Sequence, residues 1–459
     1  MHADAPIGSY VEKLSSQLGL DGHSAVLIVG LGKTGYSIAQ FLATQAIHFA
    51  ITDTRETPPF IEEFRDNFPD AAVFLGGFNP TAFEAATHLV VSPGVSLEHP
   101  LIVAAKDRGV PVLGDLDLFA AVVDVPVLAV TGANGKSTVT TLLGLMADAD
   151  RRQCRAGGNL GTPMLDLIDV SVGMYVLELS SFQLESSHLL EPLVATVLNI
   201  SPDHMDRYAD LEAYAQAKER IFHGQGVMVL NRDDPRVVAM ARPGRKVAWF
   251  GLDSEDVDYE LGLHLGEEWI LAHGEPVMPR REVRLHGRHN IANVLAALAM
   301  GDAAGLSRQA MIAAIKEFSG LPHRTEWVAE INGVTWINDS KATNVGACIA
   351  ALHGMDRPVI LIAGGDGKGA DFRVLREVVG QKVKALVLMG RDAPLLREAL
   401  EDLIQTEMTT NLTMAVKAAA KLALPGDVVM LAPACASLDQ FKDYQERGRI
   451  FQEEVRKLA

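Results

Sequence analysis

The sequence predicts an α/β protein built from three consecutive units, and three observations carry that prediction. Short apolar strands alternate with helical segments along the whole chain. Two of these strands run into glycine-bearing turns that open helices, at Gly30-Leu-Gly-Lys-Thr-Gly35 and at Gly132-Ala-Asn-Gly-Lys-Ser-Thr138. A later group of strands ends in polar or glycine-rich loops, the layout of an open sheet with its site along one edge. At 459 residues the chain is too long for one ordinary core. We place the boundaries near Gly114 and near the Gly320-Leu-Pro-His-Arg324 break. The units are then a Rossmann-like one over 1–114, a central phosphate-loop unit over 115–320 and a second Rossmann-like one over 321–459.

The bulk numbers restrict the classes. A hydrophobic content of 48% with 22% charged residues is that of a soluble globular protein. A net charge of −17 argues against a general nucleic-acid binder, although Lys and Arg gathered in a cleft can still bind anions. No apolar run reaches transmembrane length. The start, Met-His-Ala-Asp-Ala-Pro, lacks the basic and apolar segments of a secretion signal. The three cysteines, Cys154, Cys348 and Cys435, are widely spaced and odd in number, which fits a reducing cytoplasm without a disulfide framework or cysteine metal site.

Taken in order, Ala25 to Val29 is a strand, the G-x-G-x-x-G turn follows, and Tyr36 to Ala46 is a helix. A second strand ends in Thr52-Asp53. This is the dinucleotide fingerprint, acidic residue included, but its physical content is only that a diphosphate can approach a helix N-terminus. Leu89 to Val91, a helix near Pro100 to Arg108 and Val110 to Leu113 complete the first unit.

The second unit opens with a helix, Asp115 to Val123. Val125 to Val130 is an apolar, β-branched strand, as expected of one covered on both faces. Gly132 and Gly135 let the following turn bring N–H groups against a phosphate. Lys136 adds charge, and Ser137 or Thr138 offers a hydroxyl to Mg²⁺. Gly157-Gly-Asn159-Leu-Gly161 is a loop. Met174 to Ser181 reads as a buried strand ending in an acid. Glu178 is costly there unless a metal or cation pairs with it, the alternative being a cap for the next helix. After the strand Val194 to Ile200, which carries Asn199, comes Asp203-His-Met-Asp-Arg207. Its histidine is either a metal or phosphate contact or a surface residue. On the helix 211–222, Lys218 reads as a solvated lysine. Short strands and polar turns fill 226–285. His286 to Asn293 opens the apolar helix Val294 to Ala304, where Asn290 and Asn293 either read an adenine edge or cap the helix.

In the third unit four strands, Val334 to Ile337, Val359 to Ala363, Ala385 to Met389 and Val428 to Leu431, end in such loops. These are Asn338–Asn344, Gly364–Gly369, Gly390–Asp392 and Pro433–Ser437. Arg324, Lys341 and Lys368 make them cationic. A phosphate loop, an acid on the next strand and a histidine loop describe an ATP–Mg²⁺ site. Three such units around one cleft imply a reaction that joins two substrates at the expense of ATP.

Six segments in order carry a specific resemblance: Thr131–Thr138, Leu177–Leu184, Asp203–Arg207, Gly287–Asn290, Pro322–Arg324 and Asn338–Asn344. Together they resemble the Mur ligase family. With Gly364–Asp371 and Pro433–Phe441, they are most similar to the member that joins D-glutamate to UDP-N-acetylmuramoyl-L-alanine in cytoplasmic peptidoglycan precursor synthesis.

The resemblance implies that the first unit holds the UDP-sugar, through Lys33, Thr34, Asp53, Thr54, Arg55 and Gly94, with Asn159 at the muramoyl-alanine end. It implies that Gly132, Ala133, Asn134, Gly135, Lys136, Ser137 and Thr138 bind the ATP phosphates. Asn290, Asn293, Arg324, Asp339 and Lys341 would surround the rest of the nucleotide. Ser137, Glu178, His204 and Lys218 would serve two Mg²⁺ ions, Lys218 as a CO₂-derived carbamate. Lys136, Glu178, His204 and Lys218 would be the catalytic set. Thr343, Lys368 and Ser437 would hold D-glutamate, and Tyr444 stands where an aromatic, more usually Phe, closes that pocket. The reaction implied passes through an acyl phosphate and needs closure of the third unit, in a monomer. Three other readings compete. A folate-type polyglutamate ligase lacks the first glycine motif. An NAD-dependent oxidoreductase leaves the phosphate loop unexplained, and a non-catalytic nucleotide-sugar sensor is disfavoured by the presence of Lys136, Glu178 and Lys218.

Overall fold

The computed structural model describes residues 10–159, 161–285 and 287–458. The N-terminal hexapeptide, Leu160 of the Gly157–Gly161 loop and His286 lie outside the described residues. The rest forms three sheets. The first sheet is all parallel, in the order Val73–Phe74, Phe49–Thr52, Val26–Val29, His88–Val91, Val112–Leu113. The order in which strands are added reverses between Val26–Val29 and His88–Val91, so a ligand crevice opens beyond their ends. Gly30 and Ser92 meet there, the Ser92 hydroxyl donating to the Gly30 carbonyl at 2.8 Å.

The middle sheet has nine strands. Val127–Thr131 lies between Val194–Val197 and Met174–Glu178, with Cys154–Gly158 and Val227–Asn231 outside them, all parallel. Val247–Phe250 continues the parallel set beside Val227–Asn231. Tyr259–His264, Glu267–Ala272 and Glu275–Pro279 then extend it as a meander, the short strands anticipated over 226–285. Two helices, Lys136–Ala149 and Arg288–Ala303, cover one face, burying Leu142, Leu143, Leu295 and Leu298. Arg288–Ala303 starts earlier than its apolar run, because Gly287, and neither Asn290 nor Asn293, is its cap.

The third sheet orders its strands Glu326–Ile331, Val334–Asn338, Val428–Leu431, Val359–Ala363, Val383–Leu388, Gln405–Met408. Only the first pairing is antiparallel. Among the described residues no helix is long and apolar enough to cross a membrane.

Candidate active site

The central strand Val127–Thr131 is buried along its whole length, as its apolar composition requires. Beyond it the chain turns through Gly132 at φ +147° and Gly135 at φ +86°. Both glycines are needed for space as well. A Cβ on Gly132 would sit 3.0 Å from the Leu198 Cβ, and one on Gly135 only 2.3 Å from the Asn293 Oδ1. The turn is clamped by Asn199, at the end of the neighbouring strand. Its Oδ1 accepts from the Asn134 N–H at 2.8 Å and its Nδ2 donates to the Asn134 carbonyl at 3.1 Å. The helix Lys136–Ala149 begins at once, so its unpaired N–H groups face the turn. Lys136 curls back, its Nζ donating to the carbonyls of Gly132 at 2.8 Å and Ala133 at 2.9 Å. Burial lowers its pKa.

Glu178 ends the adjacent strand and is 3% exposed. Ser180 caps the following helix, so the capping role for Glu178 is excluded. Its Oε1 accepts from Asn159 Nδ2 at 2.7 Å, while Oε2 is buried with no partner. An orphaned carboxylate oxygen in a desolvated spot calls for a cation. Among the described residues no three His, Cys, Asp or Glu converge as a metal cluster. One carboxylate and the Ser137 hydroxyl, completed by phosphate and water, suit Mg²⁺, which keeps several waters.

Lys218 overturns the reading of a solvated side chain. It is 1% exposed, on the helix Leu211–Glu219. Its Nζ lies 3.5 Å from the Thr131 hydroxyl and 4.5 Å from the centre of the Tyr214 ring. Burial drives its pKa well below the ordinary lysine value, and the Lys136 charge pushes the same way. Helical spacing could not show this, because the face Lys218 occupies is covered by the sheet end.

His204 has a left-handed backbone, φ +58°. Its ring packs edge-on against Phe182, with centroids 4.9 Å apart. Burial depresses its pKa, against the pull of Asp203. Asp203 pairs with Lys368 and accepts from Asn344 Nδ2 at 3.1 Å. Burial opposes ionisation of Asp203, but Lys368 and His204 outweigh it and hold its pKa low.

The third unit adds its cations here. Arg324 donates to Ser137 Oγ at 2.6 Å. The Lys341 Nζ lies 4.1 Å from the centre of the Tyr444 ring, and burial lowers its pKa to about 8. Burial raises the Asp339 carboxyl to about 6.

Three adjoining cavities result. One of about 260 Å³ is lined by Lys136, Glu178, His204, Lys218, Thr343 and Lys368. A second of about 300 Å³ runs between Gly135, Thr138, Asn290, Asn293, Asp339 and Lys341. A third of about 280 Å³ lies between the first two units, against Lys33, Thr34, Gly94 and Asn159. Asp53, Thr54, Arg55, Ser437 and Tyr444 line none of the three. The Asp53 carboxylate turns inward, accepting from the Leu31 N–H at 2.7 Å and pairing with Arg55. Asn199 and Asp203 were given no role from sequence. For Asn199 the one available signal was its place at a strand end beside the phosphate loop.

Three family models match the chain in order: Mur ligase MurD-like, N-terminal domain, over 24–114; Mur ligase middle domain, over 130–301; and Mur ligase, glutamate ligase domain, over 323–435. A UDP-N-acetylmuramoylalanine--D-glutamate ligase of Methylococcus capsulatus is 58% identical over 96% of this chain and 97% of its own. One from Nitrosococcus oceani is 51% identical over 94% and 96%. Among solved structures, a UDP-N-acetylmuramate-alanine ligase from Thermotoga maritima shares the fold with a TM-score of 0.61 at 18% identity, over 95% of this chain and 100% of that one. A pseudomurein peptide ligase type C from Methanothermus fervidus also gives 0.61, at 15% identity and the same coverage. With its three domains matched in sequence and near-full-length relatives sharing more than half its residues, the chain belongs to the Mur ligase family.

Proposed function

We propose that this protein is an ATP-dependent amide ligase that adds D-glutamate to UDP-N-acetylmuramoyl-L-alanine, as the names of its relatives state for those proteins. The observation that carries the reading is that the cavity lined by Lys136, Glu178 and Lys218 adjoins the other two, sharing Gly135, Arg324 and Lys341 with one and Asn159, Ser180 and Phe182 with the other. A nucleotide and two substrates can converge only at such a junction.

ATP and Mg²⁺ are common requirements of the family. In our reading Gly132 to Thr138 cradle the ATP phosphates. Asn290, Asn293, Arg324, Asp339 and Lys341 surround the remainder of the nucleotide. Lys136 leaves the carbonyls of its own loop for the γ-phosphate. Ser137 Oγ and Glu178 Oε2 would hold Mg²⁺, which when bound would supply charge neutralisation for phosphoryl transfer. Lys33, Thr34, Asp53, Thr54, Arg55, Gly94 and Asn159 position the UDP-sugar. The L-alanine carboxylate attacks the γ-phosphorus, giving an acyl phosphate and ADP. Thr343, Lys368 and Ser437 hold the two carboxylates of D-glutamate, Tyr444 closes its pocket, and its amine attacks the acyl carbon. The tetrahedral adduct collapses to the amide and phosphate, and the amine proton passes to a base, a role we assign to His204. Exclusion of water by the third unit protects the acyl phosphate from hydrolysis.

Lys218 supplies a second part of the reading. Burial disfavours its ammonium form, and a neutral amine adds to CO₂, forming an N–C bond and releasing one proton. The resulting carbamate would be the anion for a second Mg²⁺. We also read the chain as a cytoplasmic monomer.

The test is phosphate release from ATP, with Mg²⁺ and bicarbonate, in the presence of UDP-N-acetylmuramoyl-L-alanine and D-glutamate, L-glutamate or neither. We expect release only when the nucleotide sugar and D-glutamate are both present. Turnover with a different amino acid would overturn the substrate while leaving the family. Bound nicotinamide, or no ATP turnover in any combination, would favour the oxidoreductase or sensor readings.

A further inference from the structure

The longest buried cation of the third unit takes part in none of the chemistry described so far. Arg447, on the helix Tyr444–Arg456, is 0% exposed. Among the described residues no carboxylate pairs with its guanidinium. It donates instead to neutral oxygens only: Nε to Ser340 Oγ at 3.0 Å, one terminal nitrogen to the Ser340 carbonyl at 2.7 Å, and the other to the Cys435 carbonyl at 3.1 Å. A charge without a counter-ion is costly to bury. A residue whose only task was to fill space would be apolar. The planar fork of arginine, however, can hold several carbonyls in one fixed arrangement, which the point charge of lysine cannot.

The segments it joins are those that carry the amino-acid residues proposed above. Ser340 lies on the loop that bears Thr343, and its hydroxyl donates to the Tyr444 carbonyl at 2.8 Å. Cys435 lies on the loop that bears Ser437. That loop is bridged to the one bearing Lys368, because Asp366 N–H donates to the Ala436 carbonyl at 3.0 Å and Ala436 N–H to the Asp366 carbonyl at 2.8 Å. The Asp366 carboxylate in turn accepts from the Lys368 N–H at 2.9 Å. Tyr444 begins the helix of Arg447 itself.

We propose that Arg447 is a positioning residue for the amino-acid substrate, a node that sets the relative placement of the loops carrying Thr343, Lys368, Ser437 and Tyr444. This rests on the D-glutamate reading of those loops. It goes beyond that reading by assigning the pocket's geometry to a side chain that does not line it. The cost of misplacing these loops falls first on the amino acid and on the second chemical step, and only secondarily on the nucleotide, which meets this loop through Asp339 and Lys341 beside Ser340; the UDP-sugar crevice belongs to other units.

Steady-state kinetics of Arg447→Lys tests this. We expect the KM for D-glutamate to rise about tenfold or more. The KM for the nucleotide sugar should stay within about twofold, its affinity measured calorimetrically should be unchanged, and the KM for ATP should rise less than that for D-glutamate. Should Arg447→Lys fail to fold, Ser340→Ala decides. It removes one acceptor of the fork and the bond to Tyr444 while leaving the cation in place, and it should raise the KM for D-glutamate by about threefold and leave that for the nucleotide sugar unchanged. An unchanged KM for D-glutamate, or an equal rise for all three substrates, overturns the inference. Wild-type protein that turns over with another amino acid sinks the D-glutamate reading but leaves this test intact, read on that amino acid. Wild type that uses no amino acid overturns both.

Discussion

The middle unit meets its two neighbours through different kinds of joint. Toward the first unit one continuous apolar cluster runs from Leu14, Ile28 and Phe64 through Phe119 to Tyr175, Leu177 and Phe222. The Ser37 hydroxyl adds a bond to Asp166, and Arg207 crosses to the carbonyls of Pro93 at 2.9 Å and Val95 at 3.2 Å. Toward the third unit no such cluster runs among the described residues, since both apolar clusters of that unit draw only on residues 328–458. The joint is made of polar contacts instead: Arg324 to Ser137, Lys368 to Asp203, and Asn344 to Asp203 and Asn134. Apolar burial is strong and cannot be exchanged for water without loss. Polar contacts are replaced by water at small net cost. We therefore expect the first joint to hold two units as one body and the second to open and close.

The largest test of this contrast is Phe119→Ala. Phe119 is wholly buried and packs edge-on against Tyr175 at 5.1 Å. Its loss should cost about 3–5 kcal/mol in urea denaturation, with the first and middle units still unfolding together. A separate early transition of the first unit would break the comparison.

The same joint carries a pH signature. Asp115 is buried, accepts from Gln183 at 3.0 Å, and has its other oxygen unpartnered. Burial raises its pKa from 3.8 to about 6. The native state thus binds its proton more tightly than the unfolded chain does, and stability falls as pH rises from about 4 through 6, then levels. Asp115→Asn should stabilise the protein by about 1–3 kcal/mol at pH near 8, a gain that fades as pH approaches 4. A gain independent of pH would show that the carboxyl charge is not its cause.

Arg207→Lys asks what the polar stitch adds to the apolar joint. The guanidinium lies 4.1 Å from the centre of the Phe182 ring, and Phe182 packs on His204. We expect a loss of about 1 kcal/mol in stability and a rise of several-fold in KM for the nucleotide sugar only.

The mildest change is Asn344→Ser, at the other joint. Serine keeps the helix cap that Asn344 gives to Ala347 but is too short to reach Asp203. Melting temperature should stay constant while kcat falls a few-fold. Small-angle scattering should show the wild type contracting on binding ATP analogue and nucleotide sugar. An identical compact shape with and without ligands would sink the account of the second joint.

The phosphate loop was legible because its chemistry is local. Gly132, Gly135, Lys136 and Ser137 fall within one short stretch of chain, and the turn they make depends on φ angles and N–H groups within a few residues. Glu178 was legible for a related reason: a charge in an apolar strand has few explanations. Lys218 was misread without the family resemblance, because amphipathic spacing says which face of a helix is apolar and not which polar residue another element covers. Arg447 carried no signal of its own, and Asn199 only its place at a strand end beside the phosphate loop.

The three α/β units, the glycine turns and the acid beside the phosphate loop can be read from the residues alone, since strand burial, turn geometry and helix starts are settled by short-range sterics and periodicity. The burial of Lys218 at the strand ends, and the ties that Arg207 and Arg447 make between distant loops, emerge from the folded chain. It alone decided that one joint is apolar and the other polar. Those properties depend on which surfaces meet across long stretches of chain, and desolvation, which sets the behaviour of each buried charge, exists only once they have met.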